Sequence, residues 1–155
     1  SLEGHDVAGD EAFPAEDWVQ NVASAAHEAK ARYPRLPLYI LGYSMGGLLT
    51  VRAVEEDPSL APSKVILLAP ALGLHPIVLA ARVLTLFPPL TIRTPNLAPA
   101  KYRRFETTPL FWYSNVAELY DQARDPAEAS RLRGLPALVI LNPADELISQ
   151  DAVEE

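Results

Sequence analysis

Short apolar runs alternate with amphipathic stretches along this chain. Leu38-Tyr39-Ile40-Leu41, Val65-Ile66-Leu67-Leu68 and Ala137-Leu138-Val139-Ile140-Leu141 are each bounded by Pro, Gly or polar residues. Continuous runs of this length predict strands buried on both faces. Helical periods lie between and before them. Within residues 15–33, Trp18, Val22, Ala26, Ala29 and Tyr33 recur at steps of three and four and form one apolar stripe. Pro14 stands at the entry, and Glu16 and Asp17 fill the first turn, where the helix dipole favours acids. Pro34 and Pro37 end this helix. Residues 45–56 form a second helical stretch, stopped by Asp57-Pro58. Strands alternating with helices predict an α/β fold, a mostly parallel sheet covered by helices on both faces.

The middle of the chain departs from this pattern. Of the 15 prolines, Pro70, Pro76, Pro88, Pro89, Pro95, Pro99 and Pro109 fall between positions 70 and 109. Long helices and central strands do not run through such spacing, so this stretch reads as an irregular insertion with short helices. From Val65 to Ile92 the only ionisable residues are His75 and Arg82, which raises the question of a membrane span. Pro70 and Pro76 break that run, and its helix-compatible part, residues 77–87, would reach only ~16 Å. A bilayer core needs ~30 Å, so no transmembrane segment is expected.

Composition narrows the function classes. The 155 residues are 49% apolar and 21% charged, a globular balance with enough length for a core. Thirteen basic against 20 acidic residues give a net charge of −7, which argues against a nucleic-acid partner. The absence of Cys excludes disulfides and thiolate metal sites, and no metal or other cofactor is implied. No basic stretch followed by an apolar one reads as a signal peptide near Ser1, so the expected location is the cytoplasm.

One segment carries chemistry. Gly42-Tyr43-Ser44-Met45-Gly46 is a Gly-x-Ser-x-Gly motif placed between a predicted strand and a predicted helix. A strand that turns straight into a helix holds the central residue on a strained, exposed bend. Gly42 and Gly46, with Gly47 beyond them, remove side chains where backbones pack closely. Ser44 is thereby the candidate nucleophile, and the Met45 N–H is a candidate donor to a developing oxyanion. A phosphate-binding loop is the other glycine-rich option, but the Gly-Lys-Ser/Thr ending is absent.

On these residues the chain resembles the α/β-hydrolase superfamily. Within it, the chain is similar to the lysophospholipase, monoglyceride-lipase and serine-aminopeptidase-like branch. Tyr39-Ile40-Leu41-Gly42-Tyr43-Ser44-Met45-Gly46-Gly47 resembles the branch's elbow, and Leu2-Glu3-Gly4-His5 its Gly-His turn. The segment from Lys64 to Pro70 resembles the next strand, and Leu135 to Leu141 the strand that leads to the catalytic acid. The resemblance implies a core made of residues 1–72 and 116–155, with a cap or lid over residues 73–115. It also implies that Asp145 is the catalytic acid, in the turn Asn142-Pro143-Ala144-Asp145, with Glu146 as fallback. Asn142 stands where the family usually has Gly, a position Asn tolerates if the backbone is left-handed. On the residues alone, an Asp in such a turn before a helix is a cap.

A serine hydroxyl needs a base, and in this superfamily the order is Ser, acid, His. No His follows Asp145. His5, His27 and His75 lie earlier, with His75, at the start of the cap, the least remote from the expected site. The expectation is therefore an internal portion of a hydrolase that lacks the first strands and the catalytic-His loop. The expected activity is a serine hydrolase cleaving carboxylic esters through an acyl-enzyme on Ser44, with the 155-residue chain alone inactive. The substrate class is a small acyl ester or lipid-like molecule. One alternative is a non-catalytic fragment or binding module that self-associates through open sheet edges. Another is peptidase, thioesterase or lactonase chemistry on the same fold.

Overall fold

The computed structural model describes residues 14–74, 93–95, 107–125, 132–145 and 147–154. Helix α1 (Ala15–Arg32) leads to strand β1 (Tyr39–Tyr43), helix α2 (Met45–Glu56) and a 3-10 turn at Pro58–Leu60. Strand β2 (Lys64–Leu68) follows. The short strands β3 (Arg93–Pro95) and β4 (Thr107–Pro109) pair antiparallel. Helix α3 (Leu110–Ala123), strand β5 (Ala137–Ile140) and helix α4 (Gln150–Glu154) complete the order. The expected cap helix over residues 77–87 lies outside the described residues, as do His5, His75 and Glu146.

The main sheet has the order β1-β2-β5, all parallel. Ile40 pairs with Val65 and Val65 with Ala137, so these residues, with Leu67 and Val139, point to one face. The α2 crossover covers that face: Val51 packs with Val65 and Leu67. Helices α1 and α3 pack on α2. Trp18, Val19, Leu48, Leu49, Leu60 and Leu119 are fully buried between them. Trp112 of α3 meets Trp18 edge-on, with ring centroids 5.8 Å apart and planes at 85°. Such a pair adds about 1 kcal/mol beyond its buried area.

Burial on both faces of the sheet does not hold among the described residues. Tyr39, Leu41 and Tyr43 of β1 are exposed, as are Leu138, Val139 and Ile140 of β5. Tyr39, Leu41, Tyr43, Leu138 and Ile140 lie on the face opposite Ile40, away from α1, α2 and α3, whereas Val139 lies on the Ile40 face but on β5, the last strand of the described sheet. An apolar run reports that a strand is hydrophobic, not what covers each face. The α1 stripe is also rotated from expectation. Ala15, Trp18, Val19, Ala23 and Ala26 are buried, whereas Tyr33 lies past the helix end and is exposed.

The far end of α2 is stapled to α1. Asp57 caps the 3-10 turn, its Oδ1 accepting from the Ser59 N–H at 3.0 Å, and His27 Nε2 meets its Oδ2 at 2.6 Å. The Ser59 hydrogen bond and the His27 contact hold the Asp57 carboxyl below its ordinary 3.8. A lowered carboxyl stabilises the fold above its unfolded value, and that contribution is lost as pH falls through the folded value. Asp57→Asn is therefore expected to be less stable than wild type at neutral pH. Urea denaturation followed from neutral to acid pH should show the gap closing below pH ~4.

Candidate active site

Ser44 joins β1 to α2 with φ 51° and ψ −119°. A left-handed φ at a residue with a Cβ is strained, by about 1–3 kcal/mol. Hydrogen bonds hold it there. The Ser44 N–H donates to the Leu68 carbonyl at 2.9 Å. Its carbonyl accepts from the N–H of Gly47 at 2.9 Å and of Ala71 at 3.0 Å. Serine at a helix start normally turns its hydroxyl back to cap the first-turn N–H groups. At Ser44 the side chain makes no such bond; that cap goes with extended backbone dihedrals, and Ser44 has φ 51°. The hydroxyl stands instead at the positive end of α2, whose first turn contains no acid. The Met45 N–H is one of the first-turn donors that lack an intrahelical acceptor.

The motif's glycines are not equivalent. A Cβ on Gly42 would lie 2.5 Å from the Gly46 carbonyl oxygen and 2.6 Å from the Gly47 Cα. A Cβ on Gly47 would lie 2.7 Å from the Pro70 Cβ. A Cβ on Gly46 would meet nothing within 4 Å among the described residues. The close-packing reason expected for Gly46 is therefore corrected: Gly46 contributes the backbone against which Gly42 packs. Gly42→Ala is expected to lower stability by about 3 kcal/mol, because backbone atoms cannot yield as a side chain can. Gly46→Ala should be neutral or slightly stabilising, since Ala is the better helix former by about 1 kcal/mol. Urea midpoints of the two variants test the contrast.

Asp145 follows β5. Tyr43, Leu68 and Ile140 form one row across the sheet, so the residues that follow them leave the same, carboxyl, edge. Strands β1 and β5 are two positions apart, roughly 10 Å at the usual strand spacing. The Asp145 Oδ1 accepts from the N–H of Leu147 at 2.9 Å and of Ile148 at 3.0 Å. Asp145 does not cap α4; Ser149 does, its Oγ accepting from Ala152 N at 3.4 Å. Asn142 does not have a positive φ, so the left-handed tolerance of Asn is not called on here. Its side chain holds the turn instead, Oδ1 accepting from Ala144 N at 3.1 Å.

His27 is excluded from the site by position. It pairs with Asp57, at the end of α2 opposite Ser44. A 12-residue helix separates those ends by about 18 Å. The sequence reading missed the segment after β2. Ala69 has a positive φ of 40°, Pro70 is fully buried, and Ala71 clamps Ser44. The Leu-Ala-Pro-Ala-Leu-Gly run was its signal: a proline and a glycine close together after a strand.

No curated protein matches the chain. Solved structures do. One, from work on LipS and LipT, two metagenome-derived lipolytic enzymes, aligns with TM-score 0.75 and 23% identity, over 99% of this chain and 64% of that one. The monoacylglycerol lipase of Paleococcus ferrophilus aligns with TM-score 0.66 and 20% identity, over 92% of this chain and 59% of that one. A soluble variant of the monoglyceride lipase of Saccharomyces cerevisiae, in complex with a substrate analog, gives TM-score 0.59 and 16% identity, over 90% and 53%. The chain thus spans less than two thirds of the length of these structures. No helix among the described residues is long and apolar enough to cross a membrane. The family model for Serine aminopeptidase, S33, matches residues 12–155. With a parallel sheet, a strand–serine–helix elbow and that match over most of its length, the chain belongs to the Serine aminopeptidase, S33, family of α/β hydrolases.

Proposed function

We propose that this chain carries the nucleophile and the acid of a serine hydrolase that cleaves carboxylic esters of lipid-like substrates. The observation that carries the reading is Ser44, left-handed between β1 and α2 with its hydroxyl not used as a helix cap. A strained residue whose backbone is clamped from both sides is the kind of feature a fold retains for chemistry. The lipolytic and monoglyceride-lipase structures it resembles favour an ester over other acyl bonds.

In this reading the Ser44 Oγ attacks the acyl carbon while its proton passes to a histidine. The histidine is proposed to lie outside these 155 residues. The carbonyl oxygen becomes an oxyanion, stabilised by the Met45 N–H and the α2 dipole. The tetrahedral intermediate collapses, the histidine returns the proton to the leaving alcohol, and an acyl-Ser44 ester remains. Water, deprotonated by the same histidine, then releases the carboxylic acid and restores Ser44. Asp145 holds the imidazole in the productive tautomer and stabilises its charged form.

The family description favours a second reading, in which the same machinery cleaves an N-terminal peptide bond. A substrate panel on the full-length protein separates the two: p-nitrophenyl butyrate and a monoacylglycerol against an amino-acid p-nitroanilide. Ester turnover well above anilide turnover supports the ester reading; the reverse order overturns it.

A further inference from the structure

The loop that follows β2 touches both halves of the candidate site. Its Ala71 N–H donates to the Ser44 carbonyl at 3.0 Å. Two residues on, the Gly73 carbonyl accepts from the Ser149 N–H at 2.7 Å, and Leu74 bridges antiparallel to Ile148. Ile148 is itself one of the two residues whose N–H binds Asp145 Oδ1, at 3.0 Å. Leu74 and Ile148 are both buried. One short segment thus links the serine backbone to the backbone that holds the carboxylate.

Between the two pieces, Gly73 has no room for a side chain. A Cβ there would lie 2.6 Å from the Ser149 carbonyl oxygen, 2.6 Å from Val153 Cγ2 and 2.8 Å from Val153 N. Two of these three atoms are backbone, so no rotamer change relieves the contact. A side chain at Gly73 would push away the segment that carries Ile148, and the Ile148 N–H would carry Asp145 with it.

We propose that Gly73 is a positioning residue, whose missing side chain seats the 147–153 segment and so fixes Asp145 relative to Ser44. The inference rests on the assignment of Ser44 and Asp145 proposed above. It identifies a specificity of the backbone that the Gly-x-Ser-x-Gly motif does not contain.

The test is a double-mutant cycle in the full-length protein, with kcat and KM measured on p-nitrophenyl butyrate for wild type, Gly73→Ala, Asp145→Asn and the pair. Gly73→Ala is expected to lower kcat about 10²-fold at nearly constant KM, the scale of an ångström-sized misplacement. In the Asp145→Asn background it should lower kcat no further, because the group it positions has already lost its charge. A purely structural role would multiply the two losses. Multiplicative losses, or a wild-type kcat in folded Gly73→Ala, would overturn the proposal. Should Gly73→Ala not fold, Ile148→Ala loosens the same seat more gently. It enters the same cycle with an expected fall of about tenfold, under the same criteria. A wild-type kcat in Asp145→Asn is a different failure: it removes Asp145 from the mechanism and leaves Ser44 untouched.

Discussion

Ser44→Ala is expected to lower kcat for ester hydrolysis in the full-length protein about 10⁶-fold, with little change in stability. The size follows from what the hydroxyl does. Without it no acyl-enzyme forms, and the remaining catalysis comes from binding and oxyanion stabilisation alone, about 10³–10⁴ over water in other serine hydrolases. The small effect on stability follows from the geometry. The Ser44 side chain does not cap α2, and the bonds that clamp the residue, to Leu68, Gly47 and Ala71, are all made by its backbone. Alanine keeps those bonds and the same φ strain. Ester kinetics together with a thermal melt check both halves.

Asp145→Asn is expected to lower kcat about 10⁴-fold while preserving the fold. An amide oxygen can still accept from the Leu147 and Ile148 N–H groups, so the turn survives. What is lost is the charge that orients and stabilises an imidazolium. Asp145→Ala separates the two roles. It loses the charge and also leaves both N–H groups without that acceptor, at about 1–3 kcal/mol where they are buried. A fall in activity shared by both variants, with a fall in stability confined to Ala, is the expected pattern. A kcat for Asp145→Asn within tenfold of wild type would remove the carboxylate from the mechanism.

Much of this site was legible in the sequence because it is written in residue types. A short apolar run ending at Gly42, a serine between glycines and a helical period after it can fold in few ways other than β1–Ser44–α2. The α2 boundaries at Met45 and Glu56 follow from the elbow before it and Asp57-Pro58 after it. Other features use groups that every residue possesses. The clamp on Ser44 is an Ala71 N–H and a Leu68 carbonyl, and the seat at Gly73 is a carbonyl and a space. No side-chain pattern announces either. The same holds for Gly42 and Gly46: the motif marks both, and only the approach of the α2 backbone to β1 shows which one admits no Cβ. Face-by-face burial of β1 and β5 was also illegible, since it depends on where α1 and α3 dock. The 62% exposure of Leu41 has no counterpart in a run that reads as uniformly apolar.

Every step of the proposed reaction depends on Ser44 as the nucleophile. Treatment of the full-length protein with a fluorophosphonate, followed by peptide mapping by mass spectrometry, tests it most directly. One phosphonylated residue, Ser44, is expected, with no adduct in Ser44→Ala. An adduct at another residue, or labelling that persists in Ser44→Ala, would contradict it.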